Sequence, residues 1–328
     1  MYLSPVNMLM MLVLMLSSLM AISSSNWFFI WFSMELNMLS FIPILLYNNK
    51  IMEIEASIKY LITQSIASSM LLMSSMMLWN NTMNLMLFYY MLCMSLLMKL
   101  GSFPCYYWFP SVMASISWIN CMVLSTWQKI IPIFIMFSMI NLENKMIIMI
   151  CLLNLLIGGI FGMKSSNMKI IMAYSSISHL GWMLLIKLVN MVSLLYFYFL
   201  SYIMMILPLF NMFNKLKINN FNSISMMNKI NMTSILMLSL MILSMAGLPP
   251  FTGFFLKLIV IYSVLKINIT YLILIIIVSI LSLYFYLNIS YNMLLNSYMN
   301  NNDMMKFKFN KVFSILSIFL YTPMIMML

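Results

Sequence analysis

Five side chains able to carry a proton stand where this chain offers them little water: Glu35, Lys99, Lys129, His179 and Lys257. Each falls near the middle of a long apolar run. A charge at the centre of a bilayer costs at least ~2.5–3.5 kcal/mol on insertion scales, so a neutral residue would be cheaper at every charged position. Lysines at one depth can hand a proton along through intervening water, with Lys129 as central member and Lys257 as the terminal, exit-side one. Glu35 supplies a carboxylate. At about 4 Å and an effective dielectric near 20, it returns about 4 kcal/mol to a neighbouring ammonium. Lys99 beside a charged Glu35 would hold its proton, and would release it once the carboxylate withdrew or was protonated. The bland alternative for the same residues is structural pairing between helices.

His179 lies in Ala173-Tyr-Ser-Ser-Ile-Ser-His-Leu-Gly-Trp182, a crossing lined with hydroxyls. Histidine titrates near neutrality and can relay protons. It can equally be a buried imidazole bonded to the hydroxyl or carbonyl of a neighbouring helix. Both readings stand.

The elements that must hold these groups follow from composition. The chain has 328 residues, 65% of them hydrophobic and 6% charged, against about a quarter charged in a soluble domain. The apolar material comes in stretches of about 20 residues, the length of a membrane-crossing helix, without the short alternating runs of a barrel. The expected fold is all-α and integral to the membrane. Polar punctuation gives eleven crossings, at 5–24, 27–47, 58–79, 83–117, 118–140, 146–163, 168–188, 191–213, 232–265, 268–290 and 310–328. The fourth contains Gly101 and Pro104, and the ninth contains Gly247-Leu-Pro-Pro250 followed by Phe251-Thr-Gly253. Such breaks free backbone groups, which lipid cannot satisfy, so they belong where protein or a water-filled cavity surrounds them.

All 16 cationic side chains are lysine, and the absence of Arg beside 45 Met points to an AT-rich, organelle-encoded gene. The eleven crossings place Lys50, Lys59, Lys164, Lys169, Lys215, Lys217, Lys229, Lys306, Lys308 and Lys311 on one face. Lys145, Lys187 and Lys266 fall on the other. The positive-inside rule makes the lysine-rich face the matrix and puts the N-terminus there. Glu55 and Lys59, one turn apart, read as an ordinary interfacial pair. Crossings one to five and six to ten form two sets of five, and an odd number inverts the second set. In each set the fourth member is the broken one and carries a lysine near its break, Lys99 or Lys257. Paired interruptions in inverted repeats point to a transport site at mid-membrane. The resulting organisation is a first repeat at 1–140, a second at 141–290, and a matrix loop with a final helix at 291–328.

Other chemistry is disfavoured. Cys93, Cys105, Cys121 and Cys151 lack C-x-x-C spacing and read as apolar fillers. A single His excludes a bis-imidazole haem, and no ligand cluster suits zinc or iron. No Gly-rich phosphate loop is present. The net charge of +11 reads as topology and contact with anionic inner-membrane lipid, cardiolipin included. Nucleic-acid binding would need a soluble basic face with interleaved Arg, and is not expected.

Six segments carry a resemblance. They are Met34-Glu-Leu-Asn37, Glu55-Ala-Ser-Ile-Lys-Tyr-Leu-Ile-Thr-Gln64, Lys99-Leu-Gly101, Thr126-Trp-Gln-Lys129, Ser176-Ile-Ser-His-Leu-Gly-Trp182, and Gly247-Leu-Pro-Pro-Phe-Thr-Gly-Phe254 ahead of Lys257. In this order, each in its own crossing, they resemble the NADH dehydrogenase subunit 2 family, antiporter-like membrane subunits of respiratory complex I. The resemblance implies a proton-pumping subunit of the mitochondrial inner membrane with two inverted five-helix repeats. It implies Glu35 as the carboxylate paired with Lys99, Lys129 as central lysine and Lys257 as distal lysine. It also implies the other membrane-arm subunits as partners, with FMN, iron–sulfur clusters and ubiquinone held by other subunits and none in this chain. Pro104-Cys-Tyr-Tyr-Trp108 departs from the family's Pro-Phe-His-Phe-Trp run. Ser111 and Ala114 replace acidic residues, so titratable roles do not carry over there. Two rival readings share these features: a cation/proton antiporter-type secondary transporter, and a non-conducting scaffold of the membrane arm.

Overall fold

Bulky apolar residues fill the core between the helices of this chain, glycines mark their closest approaches, and buried serines bond within their own helices. The computed structural model describes residues 5–46, 50–79, 85–139, 143–220, 232–249, 251–265 and 269–299. Among them the regular structure is helical, and the one β contact is an isolated bridge between Asn167 and Asn220. Among the described residues seven helical segments are long and apolar enough to cross a membrane. The chain divides into two compact units, Met1–Met146 and Ile147–Leu328.

The first unit runs α1 (Pro5–Ser23), α2 (Trp27–Leu45), α3 (Ile51–Trp79), α4 (Leu85–Leu100), α5 (Trp108–Ser115), α6 (Trp118–Ser125) and α7 (Trp127–Met139). Helix α3 packs against α2, α4 and α5, while α7 packs against α4 and α1. Much of α1 is exposed through Leu9, Leu12, Leu16 and Leu19, the face an apolar helix turns to lipid. Buried serines are tolerated because each hydroxyl donates to its own helix three residues back. Ser33 Oγ does so to Ile30 O at 2.7 Å, and Ser95 Oγ to Leu92 O at 2.7 Å.

The expected interruption of the fourth crossing is present. Helix α4 stops at Leu100 because Gly101 takes a left-handed φ of +67°. Gly101 N–H then donates to Met98 O and Ser102 N–H to Leu97 O, the bonding pair of a Schellman stop. The fifth crossing, expected as one helix over 118–140, has a joint at Thr126 (φ −114°, ψ −71°). The Thr126 hydroxyl donates to Met122 O at 2.6 Å, and the bend brings Lys129 N–H to Thr126 O. No Gly or Pro marks the joint.

The second unit comprises α8 (Asn144–Lys164, whose first turn straddles the boundary), α9 (Met168–Ile186) with a 3₁₀ turn at Lys187–Val189, α10 (Val192–Leu216), α11 (Met232–Ala246), α12 (Thr252–Val264) and α13 (Ile269–Met299). Glycines let α8 approach its neighbours closely. A Cβ at Gly158 would meet Ser178 at 2.8 Å, and one at Gly159 would meet Leu281 at 2.8 Å. Helix α9 is buried almost throughout and contacts α10 and α12. The expected second break separates α11 from α12, with Gly247 at φ +81°.

Several bounds differ from expectation. Helix α3 begins at Ile51 rather than 58, and α13 runs to Met299 rather than 290. In both, polar residues extend a helix past the apolar core that hydropathy registers. Lys187, expected in water, is buried in the 3₁₀ turn and partnered. Lys50, Lys59, Lys145, Lys164, Lys215 and Lys217 are exposed. The eleventh crossing at 310–328, Pro250, and Lys229, Lys266, Lys306, Lys308 and Lys311 lie outside the described residues.

Candidate functional site

In the first unit the chemistry gathers around one cavity. Its lining includes Asn37 and Met38 from α2, Tyr60 and Gln64 from α3, Lys99 from α4, Trp108 and Phe109 from α5, and Gln128 and Lys129 from α7. About 20 Å³ of it is open to the centres of water-sized molecules, above the roughly 10–15 Å³ that one water needs.

Each lysine there has distinct surroundings. Lys129 is 2% exposed, and its Nζ has no hydrogen-bond partner. It stands over the Phe109 ring, 4.7 Å from the centroid. The Gly101 stop fixes that ring, since a Cβ at Gly101 would meet Phe109 Cβ at 2.6 Å. Lys99, also buried, lies within electrostatic reach of Glu35, as does Tyr60. Glu35 and Lys99 make no ion pair within 4.0 Å; the Glu55–Lys59 pair, at 3.7 Å, is exposed on both sides. The carbonyls that the α4 stop frees are taken by neutral donors. Trp108 Nε1 donates to Met98 O at 3.0 Å, and Gln64 Nε2 to Lys99 O at 3.4 Å.

In the second unit Lys257 reaches back across its own break. Its ammonium donates to Ala246 O, the last carbonyl of α11, at 2.7 Å, and lies 6.0 Å from the centroid of the Trp182 ring. One turn before Trp182, the buried His179 meets Tyr198 Oη through Nδ1 at 2.9 Å, with the Tyr202 ring 5.1 Å away between centroids. Tyr202 and Tyr286 bury their hydroxyls without a hydrogen-bond partner, in the neighbourhood of Ser176 and Ser175. Those serines have already spent their donors on Met172 O and Ala173 O, at 2.7 Å each. Toward the tyrosines they can only accept.

Comparison with known proteins sets these groups in a lineage. Residues 24–282 match the family described as NADH:quinone oxidoreductase/Mrp antiporter, TM. NADH-ubiquinone oxidoreductase chain 2 of Lumbricus terrestris is 40% identical over 288 residues, 87% of this chain and 86% of that one. The chain belongs to the NADH-ubiquinone oxidoreductase chain 2 family. The same-named protein of Anopheles gambiae is 36% identical over 319 residues, covering 95% of this chain and 93% of its own. The fold is shared with a chain of the respiratory complex I from Thermus thermophilus with bound aureothin. There the TM-score is 0.85 at 18% identity, over 97% of this chain and 77% of that chain.

The first unit thus lines one cavity with Lys99 and Lys129, with Glu35 in electrostatic reach of Lys99, and the second sets Lys257 of α12 near the Trp182 ring of α9, one turn from His179. Reading the sequence did not single out Asn37, Tyr60, Phe109, Gln128, Tyr198, Tyr202 or Tyr286. Asn37, Tyr60 and Gln128 lie inside the family segments, where each flanks or neighbours a charged residue, and that was the available signal. Among the described residues no group of three His, Cys, Asp or Glu is placed to hold a metal. The four cysteines are free thiols, three of them buried.

Proposed function

We propose that the chain is a proton-translocating core membrane subunit of NADH:ubiquinone oxidoreductase, respiratory complex I. In this reading Glu35, Lys99 and Lys129 of the first unit and Lys257 of the second carry the protons, with His179 as a relay. Redox energy released in other subunits alters the Glu35–Lys99 geometry. A withdrawn or protonated Glu35 no longer holds the Lys99 proton, which passes through the cavity to Lys129. The observation that carries the reading is Lys129 Nζ, buried without a hydrogen-bond partner in a cavity that it shares with Lys99. A buried group whose task is structural is normally bonded, so an orphan asks for another role.

The finer architecture belongs to the same proposal. The chain crosses the mitochondrial inner membrane eleven times as two inverted five-helix repeats plus a final helix, with its N-terminus in the matrix. It contacts the neighbouring membrane-arm subunits and anionic lipid. FMN, iron–sulfur clusters and ubiquinone act in other subunits.

The test replaces Lys129 with Met in the assembled complex, in sealed vesicles, and counts protons moved per electron. The ratio is expected to fall while the complex still assembles. An unchanged ratio in a fully assembled complex would overturn the proton-carrying role and leave a scaffold.

A further inference from the structure

Three buried polar atoms without hydrogen-bond partners belong to residues lining the same cavity: Lys129 Nζ, Gln128 Nε2 and Asn37 Oδ1. They come from two helices, α7 and α2, and differ in kind. Gln128 offers a donor, Asn37 an acceptor, and Lys129 either one according to its protonation. Leaving a buried donor or acceptor unmet costs roughly 1–3 kcal/mol each. Three such atoms at one cavity of sufficient size describe a site for an ordered water, which takes typically about three bonds.

Resting on the proposed function, we infer that Gln128 and Asn37 are positioning residues that hold one water in a fixed orientation between Lys99 and Lys129. The hydrogen-bond inventory of water makes the orientation specific. Gln128 Nε2 donates to one lone pair, and Asn37 Oδ1 accepts one O–H. One lone pair and one O–H remain. The free lone pair receives the proton from the Lys99 ammonium, and the free O–H gives its proton to neutral Lys129. An N–H bond breaks at Lys99, one forms at Lys129, and the water is restored with one hydrogen exchanged. A water without these two anchors would tumble, and either end could face either lysine.

The anchor on Gln128 is itself held. Tyr60 Oη donates to Gln128 Oε1 at 3.3 Å, which occupies the oxygen end of the amide and leaves the nitrogen end for the cavity. Tyr60 is fixed by edge contact with Phe41, at 5.3 Å between centroids, and by the tilted Trp108 ring at 5.9 Å.

The experiment uses the assembled complex with Gln128→Met, Asn37→Leu, their double variant, Tyr60→Phe and Lys129→Met, read by proton pumping rate, native-gel assembly and a density map that resolves waters. Expected is one water against Gln128 Nε2, Asn37 Oδ1 and Lys129 Nζ in the unsubstituted complex, absent from Gln128→Met. Gln128→Met and Asn37→Leu each slow pumping about tenfold, equivalent to about 1.4 kcal/mol on the barrier. Tyr60→Phe slows it about fivefold, the scale of one hydrogen bond. The double variant is no slower than the worse single one, since both remove the same water; independent structural damage would add. Two results overturn the inference while leaving the pump reading intact. One is no water at this position in a map that shows others in the chain. The other is wild-type pumping by Gln128→Met and Asn37→Leu while Lys129→Met fails. If Lys129→Met itself pumps normally, the pump reading falls and takes this inference with it. Should Gln128→Met not assemble, Tyr60→Phe and the map still decide.

Discussion

Gly247→Ala separates the backbone role of the second break from its role in placing Lys257. At φ +81° an alanine pays a left-handed penalty of roughly 1–2 kcal/mol. Its Cβ would also stand 2.9 Å from Lys257 Nζ, 3.1 Å from Cδ and 3.2 Å from Cε. These atoms are the flexible end of a side chain, so the lysine can swing aside instead of forcing α11 and α12 apart. The movement breaks its 2.7 Å bond to Ala246 O, a charge-assisted bond of roughly 1.5–3 kcal/mol. Helix α11 would then end on an unmet carbonyl. The complex is expected to assemble, lose roughly 2.5–5 kcal/mol in heat-inactivation experiments as the two costs combine, and pump several-fold more slowly. Gly247→Asn, which tolerates the left-handed region better, keeps the crowding and removes much of the backbone penalty. Its pumping should therefore match Gly247→Ala although its stability is higher. A Gly247→Ala complex that pumps normally, with Lys257 still on Ala246 O in a map, would refute the reasoning.

Two further outcomes are expected. Gly101→Ala should damage assembly more than Gly247→Ala, because its Cβ meets Phe109 Cβ at 2.6 Å and the ring at 3.0 Å, neither of which can swing away; native gels compare the yields. Tyr198→Phe removes the hydroxyl that meets His179 Nδ1 at 2.9 Å and should cost about 1–3 kcal/mol of stability, measured by heat inactivation, with an unchanged midpoint contradicting the assignment.

The sequence made long-range order visible where the physics is one-dimensional. Apolar runs set α1, α2, α8, α9 and α10 to within a few residues, and Gly101 and Gly247 marked breaks because a left-handed stop favours glycine. The Thr126 joint left no such mark. It is accompanied by a hydroxyl turned onto its own helix, indistinguishable in sequence from the many serines that do the same inside straight helices. The hydroxyls beside His179 were legible in the sequence, but not that Ser175, Ser176 and Ser178 each bond backward along α9. The Tyr60–Gln128 bond joins residues 68 positions apart, a relation that hydropathy and spacing do not encode. Burial cost singled out the charged groups readily. Neutral amides such as Asn37 and Gln128 cost less to bury, so their placement became informative only once a shared cavity showed them without partners.

The two breaks use one backbone device and finish it differently, and the difference bears on the parts that the proposed pathway gives its lysines. A glycine with positive φ ends each half-helix and leaves carbonyls to be met. After α4 they are met by the indole of Trp108 and the amide of Gln64, both neutral. Lys99 therefore contributes only its backbone oxygen to the stop, and its ammonium is left to answer to Glu35. After α11 the ammonium of Lys257 is itself the cap on Ala246 O. Releasing the Lys257 proton leaves an amine, a weaker donor to that carbonyl, so its charge and the end of α11 are tied together. Lys129 has neither tie, only the face of Phe109. Of the three it is the one whose charge is tied neither to a carboxylate nor to a backbone carbonyl, so in the proposed pathway its protonation is set by burial and by whatever occupies the cavity, and a change of its charge leaves both helix stops intact.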